Sequence, residues 1–447
     1  MMVENELLPR MRQDVMDIFK AGLKAVDPKL CMHRCCKREE NILTVSHRSY
    51  DLNNFERIIV IGAGKAGASM ACAMEEILQD RLTAGIVIVK YDHVEKLKKI
   101  TLVQAGHPLP DANGVAGAEK LLALARQADE KTLIICLISG GGSALMTLPA
   151  QGLTLSDKQK TTQVLLDCGA TIHEINTIRK HLSRIKGGLL AKAAYPSQMI
   201  CLVLSDVVGD DLDIIASGPA VADPGTFEHC RIIIETYKIQ HCLPETVVQH
   251  IKKGVQGLIP ETPKKESPVF ENVFHSIIAG NINALLSAQK KAKQLGYKTF
   301  LLSSMIQGET IDVAAVHTAI AKEVLATGHP VARPACILSG GETTVTIKGP
   351  GKGGRNQEFA LACAIGIKDS PHVVILSAGT DGTDGPTDAA GAMADHTTVQ
   401  RAEASGLWPE LFLKENNAYP FFDQIFDLIK TGATNTNVMD LRLILVR

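Results

Sequence analysis

The chain has 447 residues, with 47 basic and 48 acidic side chains and a formal net charge of −1. This balance argues against non-specific binding to nucleic acids or membrane surfaces, and single domains rarely exceed roughly 250–300 residues, so we expect at least two domains. No apolar stretch approaches the roughly 20 residues of a bilayer-spanning helix, and the N-terminus lacks the apolar block of a signal peptide. The sequence therefore predicts a cytoplasmic protein with neither a nucleic acid nor a membrane as partner.

Short apolar runs recur along the chain, and near-continuous hydrophobicity of this kind is typical of strands that are buried on both faces. The predicted strands lie at 57–62, 85–90, 132–140, 199–206, 273–280, 298–304, 335–341, 372–379 and 441–446. Helices are predicted at 65–79, 113–128, 156–168, 281–295, 309–326 and 357–367. This alternation predicts parallel sheets flanked by helices, with ligands beyond the carboxyl ends of the strands.

A break in this pattern falls at 251–273, which holds three prolines and many charges and shows no apolar periodicity. Such a composition is typical of a surface linker. The sequence therefore predicts an N-terminal α/β domain over 1–255, a linker over 256–272 and a C-terminal α/β domain over 273–447. Four short motifs of 130–225 also recur in the same order at 330–397, which suggests two related units as a hypothesis.

The first predicted strand runs into a turn with Gly62, Gly64 and Gly67 in the G-x-G-x-x-G spacing of a dinucleotide-binding loop. That loop normally has an acidic partner at the end of the next strand, where this chain has Lys90. Lys65, expected in the first turn of the helix, adds a full positive charge to the free N–H groups there, which is unfavourable without an anion. The loop predicts anion binding by Lys65, with a dinucleotide site and purely structural glycines as alternatives.

A second glycine loop follows the strand at 132–140, and its consecutive glycines free backbone N–H groups to surround an anion. Its candidate binding residues are Ser139, Gly140, Gly141, Gly142 and Ser143. A tight turn without a ligand is the alternative. Asp206 stands at the carboxyl end of the next strand, where a catalytic or magnesium-binding carboxylate would lie.

The C-terminal half carries further candidates of the same kind. Arg355 offers a planar fork that suits phosphate or carboxylate, and Asp381 and Asp384 lie in an acidic loop that could supply magnesium ligands. The other candidate binding residues of this half are Gly340, Gly341, Glu342, Asn356, Gln357 and Glu358. Several anion-binding loops, a few cations and magnesium carboxylates are the parts that phosphoryl transfer needs.

Taken together, these motifs resemble the glycerate 2-kinase family, whose C-terminal part is called the MOFRL domain. The motifs that carry the resemblance are GAGKA, HPLPDANG, SGGGSAL, IRKHLSRIKGG, LSDVVGDDLDIIASGP, SGGETTVTI, GKGGRNQEFAL and SAGTDGTDGPTDAAGA. The resemblance implies two α/β domains, the first Rossmann-like with a mainly parallel sheet and the second smaller, containing a MOFRL region at about 332–440. It further implies an active site in the cleft between them.

The activity that the resemblance implies is ATP-dependent phosphorylation of D-glycerate to 2-phosphoglycerate, assisted by Mg²⁺ or another divalent metal. The residues that it implies as catalytic are Lys65, Asp206 and Arg355, and the candidate metal ligands are Asp206, Asp381 and Asp384. A homo-oligomer is compatible with the resemblance, but neither the oligomeric state nor the choice of hydroxyl follows from the residues.

Two other functions stay open at this point. Some members of the family have carried the label hydroxypyruvate reductase, which would need a nicotinamide cofactor at the first glycine loop, and the missing acidic residue counts against it. A non-catalytic sensor of phosphosugars or nucleotides would bind its ligand tightly without turnover, and the number of separate charged loops counts against that function.

Overall fold

The computed structural model describes residues 2–447, which form two compact units. The central unit is Pro28–Ile278, and the terminal unit combines the residues up to Asp27 with Ala279–Arg447. Among residues 2–447, no helix combines the length and the apolar character that crossing a membrane requires.

The secondary structure consists of strands and α-helices that we number in chain order. The strands are β1 (Cys36–Glu39), β2 (Ile42–Val45), β3 (Arg48–Asp51), β4 (Arg57–Ala63), β5 (Ala84–Lys90), β6 (Ile100–Ala105), β7 (Thr132–Ile138), β8 (Gln198–Leu204), β9 (Val273–Ala279), β10 (Lys298–Ile306), β11 (Ala335–Gly341), β12 (Val373–Gly379), β13 (Gly391–Asp395), β14 (Leu428–Ile429) and β15 (Asp440–Val446). The α-helices are α1 (Met2–Ala25), α2 (Pro28–Cys35), α3 (Gly67–Leu78), α4 (Ala112–Arg126), α5 (Gly142–Leu145), α6 (Leu155–Asp167), α7 (Ile172–His181), α8 (Leu189–Ala194), α9 (Phe227–Thr236), α10 (Glu245–Val255), α11 (Asn281–Gln294), α12 (Thr310–Thr327), α13 (Arg355–Ile367), α14 (Thr398–Ala404), α15 (Pro409–Lys414) and α16 (Ala418–Gln424).

The central unit is built on a six-stranded sheet with the strand order β6-β5-β4-β7-β8-β9. The neighbouring pairs from β6 to β8 are parallel. Counted along the chain this order is 3-2-1-4-5-6, which is the order of dinucleotide-binding α/β folds. The prediction of a Rossmann-like unit with a mainly parallel sheet is therefore confirmed. The order reverses between β4 and β7, and such folds bind their ligands beyond the strand ends at this point.

The terminal unit has a mixed six-stranded sheet with the order β10-β11-β15-β12-β13-β14. Strands β10 and β11 are parallel, whereas β15 lies antiparallel between β11 and β12. The expectation of parallel pairing is thus wrong for most of this sheet. Every residue of β15 is buried, so its apolar run looks the same as that of a buried parallel strand and does not reveal its direction.

Helix α1 belongs to the terminal unit although it opens the chain. Val15, Ile18 and Phe19 are fully buried, and Arg12 forms ion pairs with Asp395 and Asp427. The predicted first domain, 1–255, placed this helix with the central unit. The placement of α1 is set by its buried apolar face and its ion pairs, because both connect the helix to residues far along the chain.

The other end of the central unit also differs from the predicted boundaries. The segment 256–272, predicted as a linker, is ordered within the central unit, where Thr262 Oγ1 donates a hydrogen bond to Asp223 Oδ2 at 2.9 Å. Strand β9 then adds to the edge of the central sheet beside β8. The prolines and charged residues of this segment therefore indicate a surface position and not a boundary between domains.

The hypothesis of two related units is not supported by the topology. In 130–225, β7 and β8 are adjacent and parallel. In 330–397, the corresponding strands β11 and β12 are separated by the antiparallel β15. The recurring motifs therefore reflect glycine loops at strand ends rather than a repeated fold.

Candidate functional site

The predicted site residues of the central unit lie at the carboxyl-terminal ends of neighbouring strands of its sheet. Lys65 follows β4, the Ser139–Ser143 loop follows β7, and Asp206 follows β8. Because these strands are adjacent and parallel, their carboxyl ends lie on the same side of the sheet, and β4 and β8 are two strand spacings apart, on the order of 10 Å. The turn of Lys65 is joined to the second loop by a hydrogen bond from Lys65 N to Gly140 O of 2.8 Å. Both charged side chains are partly exposed.

The first glycine loop owes its glycines to close packing within the protein. A Cβ atom on Gly62 would overlap the neighbouring strand β7, and one on Gly64, whose φ is +148°, would overlap Ser139 Oγ. A Cβ on Gly67 would lie 2.9 Å from Val87. In a dinucleotide site the second glycine gives the pyrophosphate access to the backbone, and here that space belongs to the buried Ser139.

The position of Lys65 differs from the expectation in one respect. Helix α3 begins at Gly67, so Lys65 lies in the turn before the helix and not in its first turn. Its side chain therefore leaves the chain between the end of β4 and the start of α3, at the point where the strand order reverses. This is where an α/β sheet of this kind binds ligands.

The second glycine loop is held by a buried lysine that sequence reasoning missed. Lys186 Nζ donates to the carbonyl oxygen and the hydroxyl of Ser143 at 2.8 and 3.0 Å. The Ser143 hydroxyl also lies 2.9 Å from that of Ser217, which donates to Asn176 Oδ1. Gly141 adopts a left-handed φ of +81° and opens the short helix α5. The loop is therefore fixed by side chains that come from later parts of the chain.

The backbone beside Ser143 is strained. Ala216, Ser217 and Gly218 have φ values of +51°, +60° and +56°, a conformation that costs a non-glycine residue about 1–2 kcal/mol. Hydrogen bonds from Gly187 N and Gly188 N to the carbonyls of residues 217 and 218 hold it in place. Strain of this kind is concentrated at functional sites, and here it presents the Ser217 hydroxyl to Ser143.

The candidate site residues of the terminal unit lie at one end of the central strands of the mixed sheet. Glu342 follows β11 and Asp381 follows β12, and Asp440 opens the antiparallel β15 between them. Gly340 and Gly341 are buried in β11, where a Cβ on Gly340 would overlap the side chain of a residue of α11. These two predicted binding glycines therefore have a packing reason for their small size.

Arg355, the first residue of α13, is held in an ion-pair network. Its Nε and Nη2 donate to the two carboxylate oxygens of Asp440 at 2.7 and 3.0 Å, and its Nη1 lies 2.9 Å from Glu342 Oε1. Desolvation opposes the charge, but the carboxylates of Asp440 and Glu342 raise the pKa of Arg355 above its usual value. The side chain is 32% exposed, so Arg355 is a fixed cation with an accessible face. Sequence reasoning missed Asp440.

Asp384, a predicted metal ligand, caps helix α13. Its Oδ1 accepts hydrogen bonds from Asn356 N and Nδ2 at 3.1 and 3.3 Å, and its Oδ2 accepts one from Gln357 N at 2.9 Å. Burial raises the pKa of Asp384 to about 7, although these backbone N–H groups favour the charged form. Both carboxylate oxygens are engaged with the helix, so the geometry favours a capping role over the predicted metal-binding role.

The three residues after Arg355 are buried and bonded within the protein. Asn356 Nδ2 donates to Asp440 Oδ1 at 2.9 Å, and Glu358 Oε2 accepts a hydrogen bond from Asn416 Nδ2 at 2.9 Å. Gln357 is fully buried. Asn356 therefore helps to hold Asp440 in place, whereas Gln357 and Glu358 are buried and contact other parts of the terminal unit.

Two of the predicted metal-binding carboxylates remain accessible at strand ends. Asp206 in the central unit and Asp381 in the terminal unit are each partly exposed at a strand end, and Asp381 Oδ1 accepts hydrogen bonds of 3.1 Å from the N–H and hydroxyl of Thr383. Within the described chain, nowhere do three or more His, Cys, Asp or Glu side chains gather so that they could hold a metal ion. Magnesium needs only one or two carboxylates besides water and substrate oxygens.

Two cavities of the central unit differ in their relation to these residues. A cavity of about 390 Å³ borders the second glycine loop and includes Gly141 and Ser143 in its wall. A larger one, of about 770 Å³, has none of the predicted site residues in its wall. The smaller cavity is therefore the one connected to the predicted site.

Comparisons with known proteins cover both units of the chain. A family model described as a domain of unknown function, DUF4147, matches residues 14–252, and the MOFRL family model matches residues 335–440. The chain is 40% identical to the glycerate 2-kinase of Pyrococcus horikoshii, over 96% of this chain and 98% of that protein. It is 39% identical to a putative hydroxypyruvate reductase of Agrobacterium vitis, over 97% and 94%. A crystal structure of a glycerate kinase from Thermotoga maritima matches with a TM-score of 0.86 and 37% identity, over 98% and 100%.

Proposed function

Because the chain belongs to the glycerate 2-kinase family, we propose that it transfers the γ-phosphoryl group of ATP to the 2-hydroxyl of D-glycerate. The products are 2-phosphoglycerate and ADP, and a divalent metal assists. The observation that carries the proposal is that a lysine, a glycine loop and a carboxylate follow the carboxyl-terminal ends of the adjacent strands β4, β7 and β8. Phosphoryl transfer depends on positioning and on neutralising charge, and this arrangement supports both.

The residues of both units take defined parts in the proposed reaction. Lys65 neutralises charge on the phosphoryl group, and Asp206 either accepts the proton of the attacking hydroxyl or holds the metal. Arg355, fixed by Asp440, offers its exposed N–H groups to an anionic substrate. Mg²⁺ would neutralise charge on the nucleotide phosphates, and Asp206 of the central unit and Asp381 of the terminal unit are each proposed as a candidate carboxylate ligand.

The competing function is reduction of hydroxypyruvate by a nicotinamide cofactor, after the name of the Agrobacterium vitis relative. Two features of this chain count against it. Ser139 occupies the space beside Gly64, and Lys90 ends β5 where the cofactor ribose would need an acidic residue.

The test is to incubate the protein with ATP, Mg²⁺ and D-glycerate and to follow the products by phosphorus NMR. We expect ADP and a phosphomonoester whose coupling identifies the 2-position. In parallel, NADH and hydroxypyruvate are mixed with the protein and absorbance is followed at 340 nm. Rapid loss of absorbance without phosphoryl transfer would establish the reductase instead, and tight nucleotide binding without either reaction would indicate a sensor.

A further inference from the structure

The cavity of about 390 Å³ beside the second glycine loop has a strongly cationic wall. Lys158 of α6, Arg179 of α7 and Lys186 of the turn after α7 contribute to it, together with Ser143. None of the described residues that line this cavity is an aspartate or a glutamate. Arg179 and Lys186 belong to the segment 178–188, for which the proposed reaction gives no role.

The two lysines of this wall are hydrogen-bonded to uncharged groups only. Lys158 Nζ donates to the carbonyls of Leu182 and Arg179 at 2.8 and 3.4 Å, and Lys186 Nζ donates to Ser143. Among residues 6–447, whose side chains the structure describes, the guanidinium of Arg179 has no hydrogen-bond or ion-pair partner. The neighbouring Lys180 shows the usual alternative, since it is also buried but forms ion pairs with Asp213 and Asp223.

Burying positive charge without a carboxylate is costly, and the ionisation of these groups reflects that cost. Desolvation, together with the charge of Arg179, lowers the pKa of Lys158 to about 7. Desolvation and the charges of Lys158 and Arg179 lower the pKa of Lys186 well below its usual value. An anion in the cavity would supply the counter-charge that the protein itself does not provide.

We propose that this cavity is an oxyanion-binding site that takes the carboxylate of the hydroxy acid or a phosphate group of the nucleotide. The planar fork of Arg179 suits either group, and the Ser143 hydroxyl adds a hydrogen-bond partner. The volume lies within the range of small-ligand sites, roughly 300–1,000 Å³. The proposal deepens the proposed function and rests on it for the choice of these two ligands, whereas the cationic wall alone indicates an oxyanion.

The experiment compares the full-length protein with Arg179→Gln by isothermal titration calorimetry. The probes are inorganic phosphate, D-glycerate and ADP, each titrated separately. We expect Arg179→Gln to weaken phosphate binding and the binding of one of the two organic ligands by about 10- to 100-fold, as loss of charge-assisted hydrogen bonds predicts. A loss confined to D-glycerate assigns the cavity to the carboxylate, and a loss confined to ADP assigns it to the nucleotide.

Two further variants guard against a trivial result. Lys160→Gln removes an exposed lysine of the same helix as Lys158 and should bind all three probes like the wild type. Arg179→Lys keeps the positive charge but lacks the planar guanidinium group. It should therefore fold even if Arg179→Gln does not, and it should show a smaller loss of affinity. Wild-type affinities for all three probes in both Arg179 variants would overturn the proposal, as would a wild type that binds none of them.

The outcome also separates this proposal from the proposed function. If the wild type phosphorylates D-glycerate and the Arg179 variants bind every probe normally, the cavity proposal fails and the kinase stands. If the wild type lacks kinase activity but binds phosphate through Arg179, the kinase fails and the oxyanion site stands.

Discussion

Lys65 and Arg355 are the two predicted cations whose removal tests the chemistry directly. We expect Lys65→Ala and Arg355→Ala each to reduce kcat/KM for D-glycerate phosphorylation by about 10²–10⁴, because each would lose a charged contact in the transition state. Steady-state kinetics with ATP and D-glycerate measures the effect. Wild-type kinetics in either variant would remove that residue from the mechanism.

Exposed lysines away from the site provide matched controls. Lys131 is exposed beside the amino-terminal end of β7, at the opposite edge of the central sheet from Lys65. Lys368 is exposed at the far end of α13 from Arg355. Lys131→Ala and Lys368→Ala should retain normal kcat/KM, since each removes one positive charge away from the strand edges that carry the site.

Buried Lys158 links stability to pH. Its pKa is about 7 in the folded protein and about 10.4 in an unfolded chain. Between these values the unfolded state binds more protons, so the contribution of Lys158 to the free energy of unfolding rises with pH. Its unfavourable charge is fully present below pH 7 and is relieved above it.

We therefore expect the wild type to gain stability relative to Lys158→Met between pH 7 and 9, by up to about 1.4 kcal/mol per pH unit. Urea unfolding in phosphate-free buffers at several pH values measures the difference. Lys160→Met should show no such trend, because Lys160 is exposed. A difference between wild type and Lys158→Met that does not change with pH would contradict the lowered pKa.

At the scale of elements, the capping of α13 separates two aspartates that look alike in the sequence. Asp384 accepts the first N–H groups of the helix, whereas Asp381 is partly exposed at the end of β12. Asp384→Asn should lower the free energy of unfolding by about 1–3 kcal/mol, because an amide nitrogen would face a backbone N–H group. Its Mg²⁺ requirement for activity should stay unchanged.

Asp381→Asn should behave in the opposite way, with near-normal stability and a raised Mg²⁺ concentration for half-maximal activity, since a carboxylate ligand is lost. Urea unfolding and a magnesium titration of the kinase assay measure both effects. A raised Mg²⁺ requirement in Asp384→Asn at unchanged stability would restore Asp384 as a metal ligand.

Strands with a long continuous apolar run could be predicted from the sequence, and strands without one, such as the fully buried β13, could not. Every residue of β7 is buried, so its apolar run is continuous and visible. Strand β6 is half-exposed along much of its length, and β1 and β3 are rich in charged residues. Such strands lack the apolar signal and depend on neighbours that are distant in sequence. The direction of β15 was hidden for a related reason, because pairing partners are not encoded in its own residues.

The candidate site could be proposed from the sequence where a local motif carries its residues. Lys65, Asp206 and Arg355 each lie in a glycine- or aspartate-rich loop directly after a strand or before a helix. Asp440 lies 85 residues from the arginine that it fixes, and Lys186 lies 43 residues from Ser143. Their roles come from tertiary pairing, which no local pattern indicates.

At the scale of the whole molecule, the two ends of the chain build one unit. Thr436 Oγ1 donates to Val26 O at 2.7 Å, and Tyr297 Oη donates to Asp14 Oδ2 at 2.8 Å. Gly22 of α1 lies so close to α11 that a Cβ there would be 3.1 Å from the Ala284 carbonyl oxygen. The terminal unit therefore completes its core only with the N-terminal helix in place.

Phe19 tests this dependence, because it is fully buried in α1. Phe19→Ala should destabilise the terminal unit by about 3–5 kcal/mol through lost apolar burial and the cavity left behind. The single tryptophan of the chain, Trp408, lies in the terminal unit and reports its unfolding by fluorescence in urea. A local probe is needed because proteins with more than one compact unit often unfold in several steps.

Phe426→Ala is the control, since that ring is 93% exposed and its loss should change little. If the Trp408 transition of Phe19→Ala matched that of the control, α1 would be dispensable for the terminal unit, and its buried contacts would contribute little to holding the two chain ends together.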